Sequence, residues 1–268
     1  MELGKLIGEG STAEIYELDN NKILKLFIKG YKKKYIKYEY RVNNILSTYD
    51  LPVTKAYKMV KCNDRIGIIY DKVNGNTMLH NIFDDMSSIK TYGENLAKLH
   101  YTIHKVTYNK RLYNYKQSLI RSIKNIDLID NDTKHKIIAY TKSLPDGSNL
   151  CHGDFHPENI LIDNNKYYII DWMTTRKGNC LCDVARTIII LKYSVVEKDI
   201  PIDEIKEFHV LRSLLLKHYV NFYTAFSGAD INEIEKWELP IATTRLNENI
   251  PEEEKALLLE YINNQLKK

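Results

Sequence analysis

The sequence predicts an α+β fold, with a mostly antiparallel five-stranded sheet in residues 1–72 and a larger, mainly helical region over 73–268. Three observations carry this. β-type runs separated by short Gly, Asn and Asp turns fill the first part, and apolar residues at helical spacing dominate after Gly75. Two further β-runs around Asn164-Asn165 read as a hairpin with acids near both ends.

In chain order, Leu3–Ile7 and Ala13–Leu18 read as strands around Gly8-Glu9-Gly10-Ser11-Thr12, and Lys22–Phe27 as a third after Asp19-Asn20-Asn21. Lys25 lies inside that third, apolar strand, so it needs an anionic partner; phosphate and carboxylate both serve. A helix follows over Tyr31–Thr48, with Ile36, Tyr40, Asn43 and Ser47 as one stripe and Val42, Ile45 and Leu46 beside it. Between Lys25 and Asp50 its Glu39 is the sole carboxylate. Lys32, Lys33, Lys34 and Lys37 fit a solvated helix face better than a nucleic-acid patch, given the near-neutral remainder.

Pro52–Lys61 and Arg65–Asp71 complete the sheet through Asn63-Asp64, and Tyr70–Gly75 is the expected linker between the two regions. Helices are expected at Thr77–Asp85, Ser88–Val106, Leu112–Ile129 and Thr133–Leu144, closed by Pro145-Asp146-Gly147-Ser148, and later at Phe208–Tyr223 and Glu252–Gln265. His100 and His104 have a metal-binding i, i+4 spacing, but no third ligand is visible, so they read as packing or surface residues. Trp237, Glu238, Arg245, Glu248 and Glu252-Glu253-Glu254 are candidates to line an acceptor site, most of the acids being expected as solvated helix starts.

The chemistry concentrates in residues 151–171. Ile160–Ile162 and Tyr167–Ile170 flank the Asn-Asn turn, which brings Asp154, Asn159 and Asp171 to one end of the hairpin. Oxygen donors of this kind suit Mg²⁺, which takes its remaining ligands from water and phosphate. A metallohydrolase is the rival, because His152, Asp154 and His156 alternate at period two; no second His/Asp cluster completes such a site.

Bulk properties set outer limits. With 44% apolar and 28% charged residues the chain is an ordinary globular protein, and nothing in it suggests disorder. No apolar run is long enough to span a bilayer and the N-terminus lacks a signal-peptide layout, so a cytoplasmic protein without a membrane partner is expected. Cys62, Cys151, Cys180 and Cys182 lack a disulfide spacing and are expected reduced; Cys180 and Cys182 lack the second pair a zinc site needs. Residues 1–75 carry 14 Lys/Arg against 9 Asp/Glu. That bias suits a nucleotide polyphosphate and is too weak for nucleic acid.

The run His152-Gly153-Asp154-Phe155-His156-Pro157-Glu158-Asn159, followed by Ile170-Asp171-Trp172, resembles the catalytic loop and metal Asp of the kinase superfamily, specifically its aminoglycoside phosphotransferase and choline kinase branch. The resemblance implies a two-lobed protein-kinase-like fold, with an N-lobe at 1–72 and a C-lobe at 73–268. It implies Asp154 as the group that orients the acceptor hydroxyl and takes its proton, and Asn159 and Asp171 as Mg²⁺ ligands. His156 stands where protein-serine kinases carry lysine and would contact the transferring phosphate. Gly8, Gly10, Ser11 and Thr12 resemble the glycine-rich loop, with Ala13 in place of its third glycine; Lys25 would pair with Glu39 and the nucleotide phosphates. Asp71 and Val73 would offer backbone groups to the adenine, and Asp183, in Gly-Asn-x-x-x-Asp-Val-Ala, would brace the catalytic loop from a helix start. About a dozen residues separate Asp171 from Asp183, too few for a protein kinase's activation segment. The expectation is therefore transfer of the γ-phosphoryl group of ATP, or alternatively GTP, with Mg²⁺, to a hydroxyl of a small molecule such as an aminoglycoside, choline or a sugar. A nucleotide-binding pseudokinase and a metal-dependent phosphoesterase are the alternatives, and the oligomeric state is not legible in the sequence.

Overall fold

The computed structural model describes residues 3–107, 112–195 and 202–267, with the backbone alone for 202–205. Its first elements are β1 (Leu6–Glu9), β2 (Ala13–Leu18), β3 (Lys22–Phe27), α1 (Lys33–Leu46), β4 (Ala56–Cys62), β5 (Arg65–Asp71) and β6 (Asn76–Thr77). Helices α2 (Met78–Asp84), α3 (Ile89–His104), α4 (Tyr115–Lys124) and α5 (Asn131–Ser143) follow, then β7 (Asn149–Cys151), β8 (Ile160–Asp163), β9 (Lys166–Ile169) and β10 (Arg176–Gly178). The chain ends in α6 (Cys180–Tyr193), α7 (Ile202–Ser227), α8 (Ile231–Glu235), α9 (Glu238–Arg245) and α10 (Glu252–Leu266).

These elements pack as two compact units. The first holds residues 3–81 and 157–174, the second 82–156 and 175–267. Residues 157–174 thus group with the sheet, whereas a single division at 72/73 puts them with the helices.

In the first unit β1–β5 form one antiparallel sheet in the order β1-β2-β3-β5-β4. Strand alternation sends successive side chains of β3 to opposite faces. Leu24 and Leu26 join a core with Cys62 and Ile69, while Phe27 joins Ala13, Ile36, Ala56, Ile68 and Tyr70 on the face that α1 covers. Lys25 shares the face of Phe27 and so points toward α1. The buried side of α1 is Ile36, Tyr38, Glu39, Val42, Asn43 and Leu46; the expected stripe members Tyr40 and Ser47 lie beside it, Ser47 in solvent. Glu39 therefore sits within a buried helical face. β8 and β9 form a hairpin that pairs with β6. Val53 bridges Ile169, and the Ile169 N–H donates to the Pro52 carbonyl, tying the hairpin to the segment before β4. That pairing explains why β4 begins at Ala56 and not at Pro52.

In the second unit α3 packs along α7, and an added Cβ on Gly93 would lie 2.5 Å from His218 Cβ, so glycine is what permits this approach. β7 pairs with β10, whose end leads into α6. α6 is capped by Asn179, which accepts from the Leu181 N–H at 2.9 Å. Its run Val184–Leu191 is buried throughout, including Arg186.

Candidate active site

Within the first unit the Lys25 ammonium donates to Glu39 Oε1 at 2.8 Å and to Asp171 Oδ1 at 3.1 Å. Its side chain is 12% exposed, so burial disfavours its charge; the two carboxylates outweigh that and hold its pKa above the ordinary lysine value. Burial raises the Glu39 pKa, with Lys25 opposing. We take the charged pair as the operative state, since Lys25 keeps its proton and Glu39 Oε1 accepts a second bond from the Tyr70 hydroxyl at 2.9 Å. Glu39 Oε2 is buried without a hydrogen-bond partner.

Asp171 follows β9 with φ of 60°, a left-handed conformation uncommon outside glycine. Its side chain is about a third exposed. Asn159 stands just before β8 and is buried; its carbonyl accepts from the Ile170 N–H at 3.0 Å, which places the two ends of the hairpin side by side. Met173, two residues past Asp171, receives the Tyr31 hydroxyl on its sulfur.

The turn Gly10–Thr12 joins β1 to β2, and the Gly10 N–H donates to the Ala13 carbonyl at 2.9 Å. Gly8 lies opposite Ile15, and Ser11 is exposed. Neither Gly8 nor Gly10 has a positive φ, and a Cβ on either would meet only ordinary contacts at 3.6–3.7 Å. The chain's own packing does not require glycine there.

Asp71 and Val73 stand at and beyond the end of β5. The Asp71 N–H is spent on the Lys55 carbonyl at 3.1 Å, and its carboxylate takes Lys22 and Tyr57. Asp71 therefore cannot serve as an N–H donor to a base. A small cavity of about 250 Å³ is lined by Asn21, Thr54, Asp71, Val73, Asn74 and Tyr168, among others.

In the second unit Gly153, with φ of 82°, turns the chain after β7. The His152 and Gly153 N–H groups donate to Asp183 at 2.6 and 2.8 Å. His100 Nε2 and His104 Nε2 lie 3.1 and 3.3 Å from Asp183 Oδ2, and their Nδ1 atoms meet the Tyr219 and Tyr223 hydroxyls at 2.8 and 2.7 Å. The network assigns Nε2–H donors to the aspartate and Nδ1 acceptors to the tyrosines. Asp183 is fully buried; burial opposes its charge, and the histidine hydrogen bonds outweigh it and keep the pKa low. This is the expected brace. The distant third group that the sequence hides from His100 and His104 is Asp183, and the three donor atoms lie within 4.8 Å of one another. Each is already hydrogen-bonded, which marks a structural network.

Asp154 follows on the same loop. Its Oδ1 accepts from Arg186 Nη2 at 2.9 Å and its Oδ2 lies 3.5 Å from His156 Nε2. Burial pushes the Asp154 pKa up, but Arg186 and then His156 outweigh it and hold the carboxyl well below the usual range. Arg186 also donates to Glu248 at 2.5 and 3.1 Å. The sequence offered one signal for this arginine: a cation inside the apolar run of α6 requires a partner. Of the expected acceptor-lining residues, Trp237 is 1% exposed, Glu238 is buried against Lys192 and Tyr261, and Glu254 is buried against Arg245. Glu254 is thus no solvated helix start, whereas Glu252 and Glu253 are exposed.

Comparison with known proteins adds the following. A family model described as "Phosphotransferase enzyme family" matches residues 4–208. A curated relative, "Protein LicA homolog" of Mycoplasma capricolum subsp. capricolum, is 24% identical over 220 residues, covering 81% of this chain and 85% of the relative. Among solved structures, amicoumacin kinase hAmiN in complex with AMP-PNP, Ca2+ and Ami superposes with a TM-score of 0.63 at 13% identity, covering 97% of this chain and 86% of that one. The gentamicin–APH(2")-IIa complex gives 0.60 at 16% identity, covering 100% and 91%. Choline kinase from Cryptosporidium parvum Iowa II gives 0.58 at 15%, covering 99% and 89%. The fold is thus α+β and kinase-like. No helix among the described residues is long and apolar enough to cross a membrane.

Proposed function

Since the chain belongs to the phosphotransferase enzyme family, we propose that it moves the γ-phosphoryl group of ATP to a hydroxyl of a small molecule, with Mg²⁺. One observation carries this: Lys25 of β3 is shared by Glu39 of α1 and by Asp171, which lies 146 positions later in the chain. A lysine so placed is shielded, charged and able to meet a phosphate. The resemblance at residues 151–171 and the nucleotide analogue in a structural neighbour's complex support the same reading.

In this proposal Asp171 and Asn159 hold the metal. Their donor set fits: a carboxylate and an amide on adjoining ends of the hairpin, with Lys25 on Asp171 Oδ1. When bound, Mg²⁺ neutralises charge on the triphosphate. Lys25 steadies the phosphates, and the turn carrying Gly8, Gly10, Ser11 and Thr12 covers them, with the Gly10 N–H itself held by the Ala13 carbonyl and no side chain at Gly8 or Gly10 in the way. Val73 offers its N–H to the base, and Asp71 its carbonyl alone. The acceptor hydroxyl donates to Asp154. As its oxygen bonds to the γ-phosphorus, the bond from phosphorus to the β,γ-bridging oxygen breaks and the hydroxyl proton passes to Asp154. The low pKa of Asp154 is compatible with this, because a loose transition state asks for positioning before basicity. His156 donates toward the transferring phosphate. We further propose a cytoplasmic enzyme whose lobes divide near residue 72.

The test is an ADP-release screen with Mg–ATP against aminoglycosides, choline, ethanolamine and sugars, repeated with Asp154→Ala. Turnover on one acceptor class and a loss of roughly 10²–10⁴-fold in the variant are expected. Equal rates for variant and wild type would refute Asp154 as the base.

A further inference from the structure

Asp154 is held by more than its own loop. Arg186 reaches it from α6, and that guanidinium is itself held: Glu248, in the turn after α9, accepts from Nη1 at 2.5 Å and from Nη2 at 3.1 Å. Glu248 Oε2 also accepts from Arg245 Nη1 at 3.0 Å, and Arg245 Nε donates to Glu254 Oε1 at 2.5 Å at the start of α10. Charges alternate along the row Asp154, Arg186, Glu248, Arg245, Glu254. Its far end is the better buried, Arg245 and Glu254 being 9% and 2% exposed at the side chain against 28% for Asp154.

A bidentate guanidinium fixes the plane of the group it binds, which a lone ammonium cannot do. Here one nitrogen, Nη2, serves both Asp154 Oδ1 and Glu248 Oε2, so the arginine cannot swing toward either without loosening the other. Oδ1 is thereby occupied. Oδ2 lies 3.5 Å from His156 Nε2.

We propose that Arg186 is a positioning residue for phosphoryl transfer: it fixes the orientation of the Asp154 carboxylate, and Glu248, anchored by Arg245 and Glu254, holds Arg186 in that pose. This rests on the phosphotransferase reading with Asp154 as base. Among the groups facing Asp154 are Arg186 from α6, with Glu248 beyond it, and His156 on its own loop, and removing the arginine's charge leaves Asp154 easier to protonate.

The experiment compares wild type, Arg186→Gln, Arg186→Lys and Glu248→Gln by steady-state ADP release with Mg–ATP and whichever of choline, ethanolamine, an aminoglycoside or a sugar supports turnover, across pH 3–9, alongside Tm. Arg186→Gln is expected to lower kcat about 10²-fold with the KM for Mg–ATP within about twofold, and to move the acid limb of the profile up by about one unit. Arg186→Lys should return the acid limb toward wild type while kcat stays depressed, because an ammonium lacks the planar fork that takes both Glu248 oxygens while reaching Asp154. Glu248→Gln should lose about 5–10-fold in kcat. A merely structural arginine predicts otherwise, namely a lower Tm with kcat and pH profile of the folded enzyme unchanged, and that result overturns the proposal. If Arg186→Gln does not fold, Glu248→Gln decides: wild-type kcat overturns it, and the stated loss supports it. Turnover by wild type with unmoved variants sinks this inference alone; a wild type that releases no ADP from any acceptor sinks the phosphotransferase reading and this inference with it.

Discussion

Asp183 and Asp171 are both aspartates gripped by nitrogen donors, yet they are built to opposite ends. Asp183, in the second unit, receives two backbone N–H groups and two imidazoles and is wholly buried. Its lone pairs are committed, so it can do no more than hold the chain. Asp171, in the first unit, gives Oδ1 to Lys25, is a third exposed, and sits in a strained left-handed conformation. The lesson is that saturation of hydrogen-bonding capacity, more than residue type or burial, separates the brace from the carboxylate proposed to hold the metal.

The contrast breaks most visibly at Asp171. If Asp171 holds Mg²⁺ as proposed, Asp171→Ala should cut phosphoryl transfer by at least about 10³-fold while leaving Tm within a few degrees, because it removes that ligand and a partner that Lys25 can replace with Glu39. ADP release and calorimetry on the same sample read both. Asp183→Ala should do the reverse, costing about 3–5 kcal/mol of folding free energy by stranding four buried donors. A urea titration measures it, and a shift under 1 kcal/mol would count against the brace.

His100 sharpens the comparison through pH. Burial, with His104 beside it, pulls its pKa down to about 3 against the Asp183 contact. An unfolded histidine titrates near 6.5, so between these values the unfolded chain binds a proton that the folded one refuses. Stability is therefore complete above pH 6.5 and declines as the pH falls toward 3. From pH 6.5 to 4.5 the loss should be on the order of 2–3 kcal/mol, seen as a falling Tm whose slope His100→Gln flattens. The smallest effect belongs to Gly10→Ala. No positive φ or close contact opposes a methyl group there, so stability should move by less than about 0.5 kcal/mol while the KM for Mg–ATP rises.

Much of this was legible along the chain because turns announce themselves. Asn20-Asn21, Asn63-Asp64 and Asn164-Asn165 all adopt positive φ at both positions, the tight hairpin turn that these residues favour, and the end of β2 and the starts of β3 and β5 follow from them. β1 has no such marker, and it lies at Leu6–Glu9, displaced from Leu3–Ile7. The Lys25–Glu39 pair was also legible, since a cation in an apolar strand and one available acid leave few pairings, whereas the contact of Lys25 with Asp171 was not. What stayed hidden are partners distant in sequence whose residue types are unremarkable in isolation. Arg186 with Glu248, 62 positions apart, and His100 with Asp183, 83 apart, become visible only when α3, α6 and the turn after α9 are packed. The pairing of Glu238 with Lys192 and of Glu254 with Arg245 was hidden for the same reason.

The most direct test is calorimetric titration of a non-hydrolysable ATP analogue into the protein with and without Mg²⁺, and into Asp171→Ala. Saturable binding below about 1 mM that requires Mg²⁺ and is lost in the variant is the predicted result. Equal binding with and without the metal, or no binding at that concentration, would contradict it.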